Sequence, residues 1–126
     1  MRKVIHTEKA PKAVGPYSQA VSTGNLLFTA GQVALDPATG KLVEGGIKEQ
    51  TRQVMKNLGA VLAEARTDFS KVVKTTVFLQ DIKNFAYFNQ VYGEYFPSEP
   101  PARSTFQVGA LPLGAMVEIE MIVLLG

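Results

Sequence analysis

The fold is decided by the stretch Val117-Glu118-Ile119-Glu120-Met121-Ile122-Val123, in which every second side chain is apolar and two of those between them are glutamates. A period of two predicts a β-strand with one buried face. A similar alternation occurs in Arg103-Ser104-Thr105-Phe106-Gln107-Val108. Residues 109–115, with a proline and two glycines, have the composition of a reversal. Together these three segments predict one β-hairpin.

This hairpin predicts a site for a small acid. If Arg103 lies opposite Glu120 and Thr105 opposite Glu118, the guanidinium and both carboxylates converge on the same side of the sheet. A guanidinium can hold a planar carboxylate through two parallel hydrogen bonds, and a carboxylate can orient water and move protons. The register is an expectation, because a slip by one residue turns each side chain to the other face.

The remaining pattern predicts an α+β fold. Further strands are predicted at residues 4–6, 18–22, 26–32 and 72–79, and helices, from apolar residues at helical spacing, at residues 47–65 and 85–96. Pro97 ends the second helix. The order β-β-β-α-β-α-β-β predicts a mixed six-stranded sheet with both helices on one face.

Composition limits the chemistry. The 126 residues, 46% of them apolar, predict a single domain over residues 1–126. The absence of cysteine excludes disulfides, thiolate nucleophiles and cysteine-ligated metals. A Ser-His-Asp arrangement would have to use His6, the one histidine, beside the N-terminus. We therefore expect no metal site.

Charge and hydropathy predict the compartment and the partners. The net charge of +2 is spread along the chain, so nucleic acid is not the expected partner. The start has no apolar run of signal-peptide length, and two glutamates interrupt the most apolar stretch, residues 116–125. These features predict a soluble cytoplasmic protein without membrane contact.

A bare sheet face predicts self-association. Two helices cover one side of a six-stranded sheet, yet several strands carry apolar or uncharged residues on both faces. Closed symmetry is the usual form of self-association. A site formed by Arg103 and Glu118 is then expected at a subunit boundary, where clefts exclude water.

Five stretches carry a resemblance to a known family. They are Ala13-Val14-Gly15-Pro16-Tyr17-Ser18-Gln19-Ala20, Phe28-Thr29-Ala30-Gly31-Gln32, Val72–Leu79, Asn89–Phe96, and Pro101-Ala102-Arg103-Ser104 through Val117-Glu118-Ile119-Glu120. On these residues the chain resembles, essentially end to end, the RidA/YjgF family of reactive-intermediate (enamine/imine) deaminases.

The resemblance implies a homotrimer of chorismate-mutase-like α+β subunits, with a central barrel and three sites in the clefts between subunits. It implies hydrolysis of 2-aminoacrylate or 2-aminocrotonate, as imine tautomers, to a 2-oxo acid and ammonia, with no cofactor. By the same resemblance Arg103 holds the carboxylate and Glu118 is the catalytic residue that activates water. The positions that match ligand-contacting or cleft-lining residues of the family are Gly31, Thr105, Tyr17 and Asn89.

Three departures from the family pattern affect these expectations. Many relatives carry serine where this chain has Ala30, and cysteine where it has Thr105. Relatives commonly have glycine where this chain has Arg66, a position at the end of the first helix that favours positive φ. A non-glycine residue there predicts a strained turn that costs about 1 kcal/mol.

Plainer interpretations stay open beside the functional ones. Arg103 can be a surface or interface ion-pair residue, Glu118 a charge on an exposed strand face, and Gly31 a glycine needed for close strand packing. Three classes of function remain: an imine deaminase, a trimeric protein that binds small carboxylates without turnover, and an RNA-cleaving translation inhibitor. The last is disfavoured by the even charge and the lack of a histidine pair.

Overall fold

One mixed sheet of six strands organises the protein, whose structure, a computed structural model, describes residues 1–126. The strands are β1 (Arg2–Ile5), β2 (Ala20–Thr23), β3 (Leu26–Thr29), β4 (Val72–Leu79), β5 (Ala102–Gln107) and β6 (Val117–Leu124), and the helices are α1 (Ile47–Glu64) and α2 (Phe85–Tyr92). The spatial order of the strands is β1-β2-β3-β6-β4-β5. The predicted six-stranded sheet and two helices are confirmed.

Both helices pack on the same face of the sheet and enclose the core. The amphipathic α1 begins where the Glu49 carboxylate accepts a hydrogen bond of 2.8 Å from the Gly46 N–H. One cluster of buried side chains joins the two helices to alternate residues of the central strands. Its largest fully buried members include Phe88, Leu27, Met55, Leu58, Leu62, Leu79 and Ile119. Neither helix combines the length and the apolar character that a membrane span requires.

The predicted hairpin is wrong. β5 pairs with β4 in parallel, and β6 lies between β3 and β4, antiparallel to both. The cause is α2, which links β4 to β5 as a crossover and leaves β5 at the sheet edge. β4 lies between β5 and β6, so a whole strand separates Arg103 from Glu118.

The register also places the charged residues on opposite faces. Arg103 pairs with Thr75, which in turn pairs with Met121, and these two residues are buried beneath the helices. Glu118 pairs with Phe78 on the alternate face. The expected convergence of guanidinium and carboxylates on one side of the sheet is therefore wrong within one chain.

The face opposite the helices is uncovered and partly apolar. Val4, Phe28, Phe106 and Leu124 are between 40% and 53% exposed there. The rings of Phe78 and Phe106 meet edge to face, with centroids 5.3 Å apart. These exposed apolar side chains agree with the bare face expected from the sequence.

The end of α1 has the strained turn that the sequence predicts. The N–H of Thr67 donates to the carbonyl of Leu62, and the N–H of Arg66 donates to that of Ala63, both at 3.0 Å. This is a Schellman motif, whose residue after the cap is left-handed. Arg66 occupies that position with φ of 62°.

Candidate active site

The first group of candidate functional residues surrounds Arg103 on the helix side of the sheet. The guanidinium carbon lies 4.9 Å from the ring centre of Tyr92, 5.4 Å from that of Phe85 and 5.5 Å from that of Phe88. The ion pairs of the chain are His6–Glu8 and Arg52–Glu94, so the Arg103 charge has no carboxylate partner. Its N–H groups are therefore available to an anionic ligand.

A cleft of about 470 Å³ opens beside this guanidinium; we call it the arginine cleft. Its lining residues are Asn89, Tyr92, Gly93, Phe96, Pro100, Pro101 and Arg103. Asn89 Oδ1 and Thr105 Oγ1 are buried and have no hydrogen-bond partner. Since buried polar atoms are normally paired, these two atoms indicate that a partner from outside the chain completes this region.

The second group surrounds Glu118 at the other face of the sheet. A cleft of about 660 Å³, the glutamate cleft, is lined by Val14, Tyr17, Ala30, Gly31, Val33, Leu35, Gly40, Pro112, Leu113 and Glu118. The Tyr17 hydroxyl accepts a hydrogen bond of 3.3 Å from the Val14 N–H, which fixes the ring in its loop. Most of the lining is apolar, so the carboxyl group is only partly solvated.

The environment of Glu118 favours the neutral acid. Burial raises the pKa of Glu118, and the negative charge of Glu120 raises this pKa further. A carboxyl group with a raised pKa in a cleft is suited to proton transfer near neutral pH. The plainer interpretation of Glu118 as a fully solvated charge does not fit this burial.

Gly31 makes room for the Glu118 side chain. A Cβ at residue 31 would lie 2.8 Å from the Glu118 carboxyl carbon and 3.0 Å from its Cγ. The Gly31 N–H donates no backbone hydrogen bond within the chain. The glycine therefore permits the close approach of the carboxyl group and exposes a main-chain donor beside it.

The structure separates the six predicted site residues into two sets. It brings Tyr17 and Gly31 to Glu118, and Asn89 to Arg103, while Thr105 lies two residues further along the same face of β5. It does not unite the sets within one chain. No group of three histidine, aspartate or glutamate side chains is placed to hold a metal ion.

The sequence missed the aromatic surroundings of Arg103 and the apolar walls of the glutamate cleft. Helical spacing predicted the helix that carries Phe85, Phe88 and Tyr92, but it did not indicate that their rings face the guanidinium. Leu113, in the wall of the glutamate cleft, could not be recognised from the sequence as a site residue. In the structure it is 69% exposed and has a φ of 60°. Non-glycine residues in this conformation concentrate at functional sites.

Known proteins share this fold and this sequence. The family model described as Endoribonuclease L-PSP matches residues 7–125. A mouse protein named 2-iminobutanoate/2-iminopropanoate deaminase is 52% identical over 126 residues, which cover 100% of this chain and 93% of the mouse protein. The chain belongs to the RidA/YjgF family. The expected family resemblance is thereby confirmed.

Other RidA/YjgF relatives extend the comparison. Reactive Intermediate Deaminase A, chloroplastic, of Arabidopsis thaliana is 51% identical over 96% of this chain, which spans 65% of the plant protein. The Rid-family protein YyfA of Yersinia pestis superposes with a TM-score of 0.96 at 49% identity, over 99% of this chain and 100% of its own. The structure of Escherichia coli TdcF with bound serine superposes with a TM-score of 0.93 at 36% identity, over 98% of this chain and 99% of the TdcF chain. A chloroplastic relative means that the cytoplasmic location stays a prediction.

Proposed function

We propose that the protein hydrolyses small imino acids, 2-aminoacrylate and 2-aminocrotonate in their imine forms, to 2-oxo acids and ammonia. This proposal rests on the presence of two groups in one chain. The Arg103 guanidinium has no carboxylate partner and lines one cleft, and the partly buried Glu118 carboxyl group lines another. Relatives named reactive-intermediate or 2-iminobutanoate/2-iminopropanoate deaminase support imine deamination in general.

The two clefts meet when subunits associate. Because Arg103 and Glu118 point to opposite faces of the sheet, one chain cannot place both on one small ligand. The uncovered apolar face supplies the surface for association. We propose a homotrimer in which the arginine cleft of one subunit faces the glutamate cleft of the next, so that three equivalent sites result.

Arg103 binds the substrate carboxylate in this site. The planar guanidinium offers two parallel N–H donors, a geometry that lysine cannot reproduce. Charge-assisted hydrogen bonds of this kind contribute about 1.5–3 kcal/mol each. The Gly31 N–H and the main chain of Thr105 supply further contacts to the bound acid, and Asn89 and Tyr17 form the walls.

Glu118 moves the protons of the reaction. As a carboxylate it accepts a proton from the attacking water, whose oxygen bonds to the imine carbon, and it returns this proton to the imine nitrogen. Glu118 then transfers the hydroxyl proton of the resulting carbinolamine to its amino nitrogen, the C–N bond breaks, and ammonia leaves, which yields the 2-oxo acid. The raised pKa of Glu118 suits a group that must both accept and return a proton.

RNA cleavage, which the description of the matching family model names, has less support in this chain. His6, the one histidine, is hydrogen-bonded to Glu8 and belongs to neither cleft. Acid–base cleavage of RNA by a pair of histidines therefore has no candidate residues here. Incubation of labelled RNA with the protein would reveal the activity, and cleavage by wild type and by Arg103→Ala alike would place it outside the proposed site.

The decisive experiment follows the imine itself. A threonine or serine dehydratase generates the intermediate, and its decay is recorded with wild type, Arg103→Ala or Glu118→Gln added. We expect faster decay with wild type alone, lost binding of 2-oxobutyrate in Arg103→Ala, and retained binding in Glu118→Gln. No acceleration by wild type, with 2-oxobutyrate still bound, would favour a carboxylate-binding protein. Full activity of Arg103→Ala would refute the site assignment.

A further inference from the structure

We propose that Tyr92, aided by Phe85 and Phe88, is a positioning residue that holds the Arg103 guanidinium in its carboxylate-binding orientation. This inference rests on the proposed role of Arg103 and adds to it a cause for the orientation of the arginine. We call the three rings the aromatic cradle. None of these rings needs to touch the substrate for the cradle to act.

Distances and charge support the cradle. All three ring centres lie within 5.5 Å of the guanidinium carbon, and Tyr92 is the nearest at 4.9 Å. An aromatic ring attracts a cation through its negative face at separations up to about 6 Å. The rings come from successive turns of α2, so a single rigid element presents all of them.

An aromatic cradle has an advantage over an acidic partner. A carboxylate beside Arg103 would occupy the same N–H groups that a ligand carboxylate needs. Aromatic rings orient the guanidinium without placing a second carboxylate on it, and the chain has no ion pair at Arg103. The arrangement therefore fixes the arginine without competing with the ligand.

Tyr92 is itself held firmly. Its hydroxyl shares a hydrogen bond of 2.7 Å with Thr75 Oγ1, and Thr75 is fully buried. Its ring packs between Phe88 at 5.2 Å and Phe96 at 4.9 Å. Because Thr75 is also the cross-strand partner of Arg103, the tyrosine and the arginine are both anchored to the same residue of β4.

The test compares Tyr92→Leu with Tyr92→Phe by titration with 2-oxobutyrate and by imine turnover. We expect Tyr92→Leu to weaken binding about tenfold, as loss of a desolvated cation–π contact would. The loss should fall on Kd and KM more than on kcat, because Glu118 is untouched. Tyr92→Phe keeps the ring and should recover most of the lost affinity. Tyr87→Leu is the matched control, because it removes an aromatic ring from the same helix whose cationic neighbour is Lys48 and not Arg103.

A double-mutant cycle separates positioning from a general structural effect. In the Arg103→Lys background, which keeps the positive charge but loses the planar fork, Tyr92→Leu should cause a much smaller loss of affinity than in wild type, because the guanidinium that it positions is gone. Equal losses in both backgrounds, or wild-type affinity of Tyr92→Leu, would overturn the inference. If Tyr92→Leu does not fold, Phe85→Leu takes its place, because Phe85 is partly exposed and its truncation disturbs the core less. The expected loss of affinity is then smaller, and the same two outcomes would overturn the inference. Unchanged binding by Arg103→Ala would instead refute the proposed function.

Discussion

The Glu118 carboxyl group occupies the space that a side chain at Gly31 would need, since a Cβ there would lie 2.8 Å from the carboxyl carbon. Separations below 3.0 Å force one group to move. The flexible member is the glutamate side chain, which would turn away from the main chain of residue 31. The position of the proposed catalytic acid therefore depends on a glycine 87 positions earlier in the chain.

Gly31→Ala should lower imine turnover by about 100-fold, the loss that misplacement of a reacting group by about 1 Å can cause. The fold should persist, because the displaced side chain lies at the edge of a cleft. Turnover and circular dichroism are the measurements. Gly109→Ala is the matched control, since a Cβ there meets nothing within 4 Å. Equal activity of both variants would contradict the role of Gly31.

Two inactive variants should restore activity when they form mixed trimers. A site that takes Arg103 from a Glu118→Gln subunit and Glu118 from an Arg103→Ala subunit has both groups intact. When the two variants assemble at random from equal amounts into cyclic trimers, about a quarter of all sites should have both groups intact. The variants are mixed, unfolded and refolded together, and turnover is compared with that of each alone. No recovery, with mixed trimers shown by mass spectrometry, would place both groups in one subunit.

Glu120→Gln should extend activity to lower pH. The charge of Glu120 helps to raise the pKa of Glu118, so its removal lowers that pKa. If ionised Glu118 accepts the proton from water, the acidic limb of the kcat/KM profile moves to lower pH. Glu64→Gln, at the end of α1 and outside both clefts, makes the same charge change as a control. A shift to higher pH would contradict the proposed role of Glu118.

Arg66→Gly should raise the free energy of unfolding by up to about 1 kcal/mol, because glycine adopts the left-handed conformation without strain. Arg66 has φ of 62° and an exposed side chain, so little packing is lost. Urea unfolding at one protein concentration measures the change. Arg66→Ala retains the Cβ and removes the charge. If it stabilised the protein equally, relief of backbone strain would not be the cause.

Local periodicity predicted the elements that the sequence encodes locally. The strand expected at Val72–Leu79 has those bounds in the structure, and α1 begins at the expected Ile47. In both segments the apolar residues recur at a regular spacing over eight or more residues, so the local sequence alone indicates the type of element and its buried face. The strand expected to reach Gln32 ends at Thr29 instead, with Gln32 in a single bridge to Ile119.

The alternation of apolar and polar residues did not predict which strands pair with one another. The alternation in β5 and β6 shows that each has two different faces, but it does not show which strand lies beside which. Arg103 and Glu118 were identified by residue type and by family resemblance, which need no knowledge of neighbours. Their separation by β4 and their opposite directions depend on contacts between distant segments. The sequence therefore predicted the site residues as a set and placed them wrongly relative to one another within one chain.

If the proposed site takes Arg103 and Glu118 from different subunits, the opposite orientation of these two side chains leaves an unassembled chain inactive. In the proposed trimer, a newly synthesised subunit holds both halves of a site and still has no complete one, so turnover begins only after its neighbours arrive. Activity per chain then falls on dilution, steeply below the concentration at which subunits separate. Substitutions on the uncovered sheet face, far from any ligand, would lower activity through the same dependence.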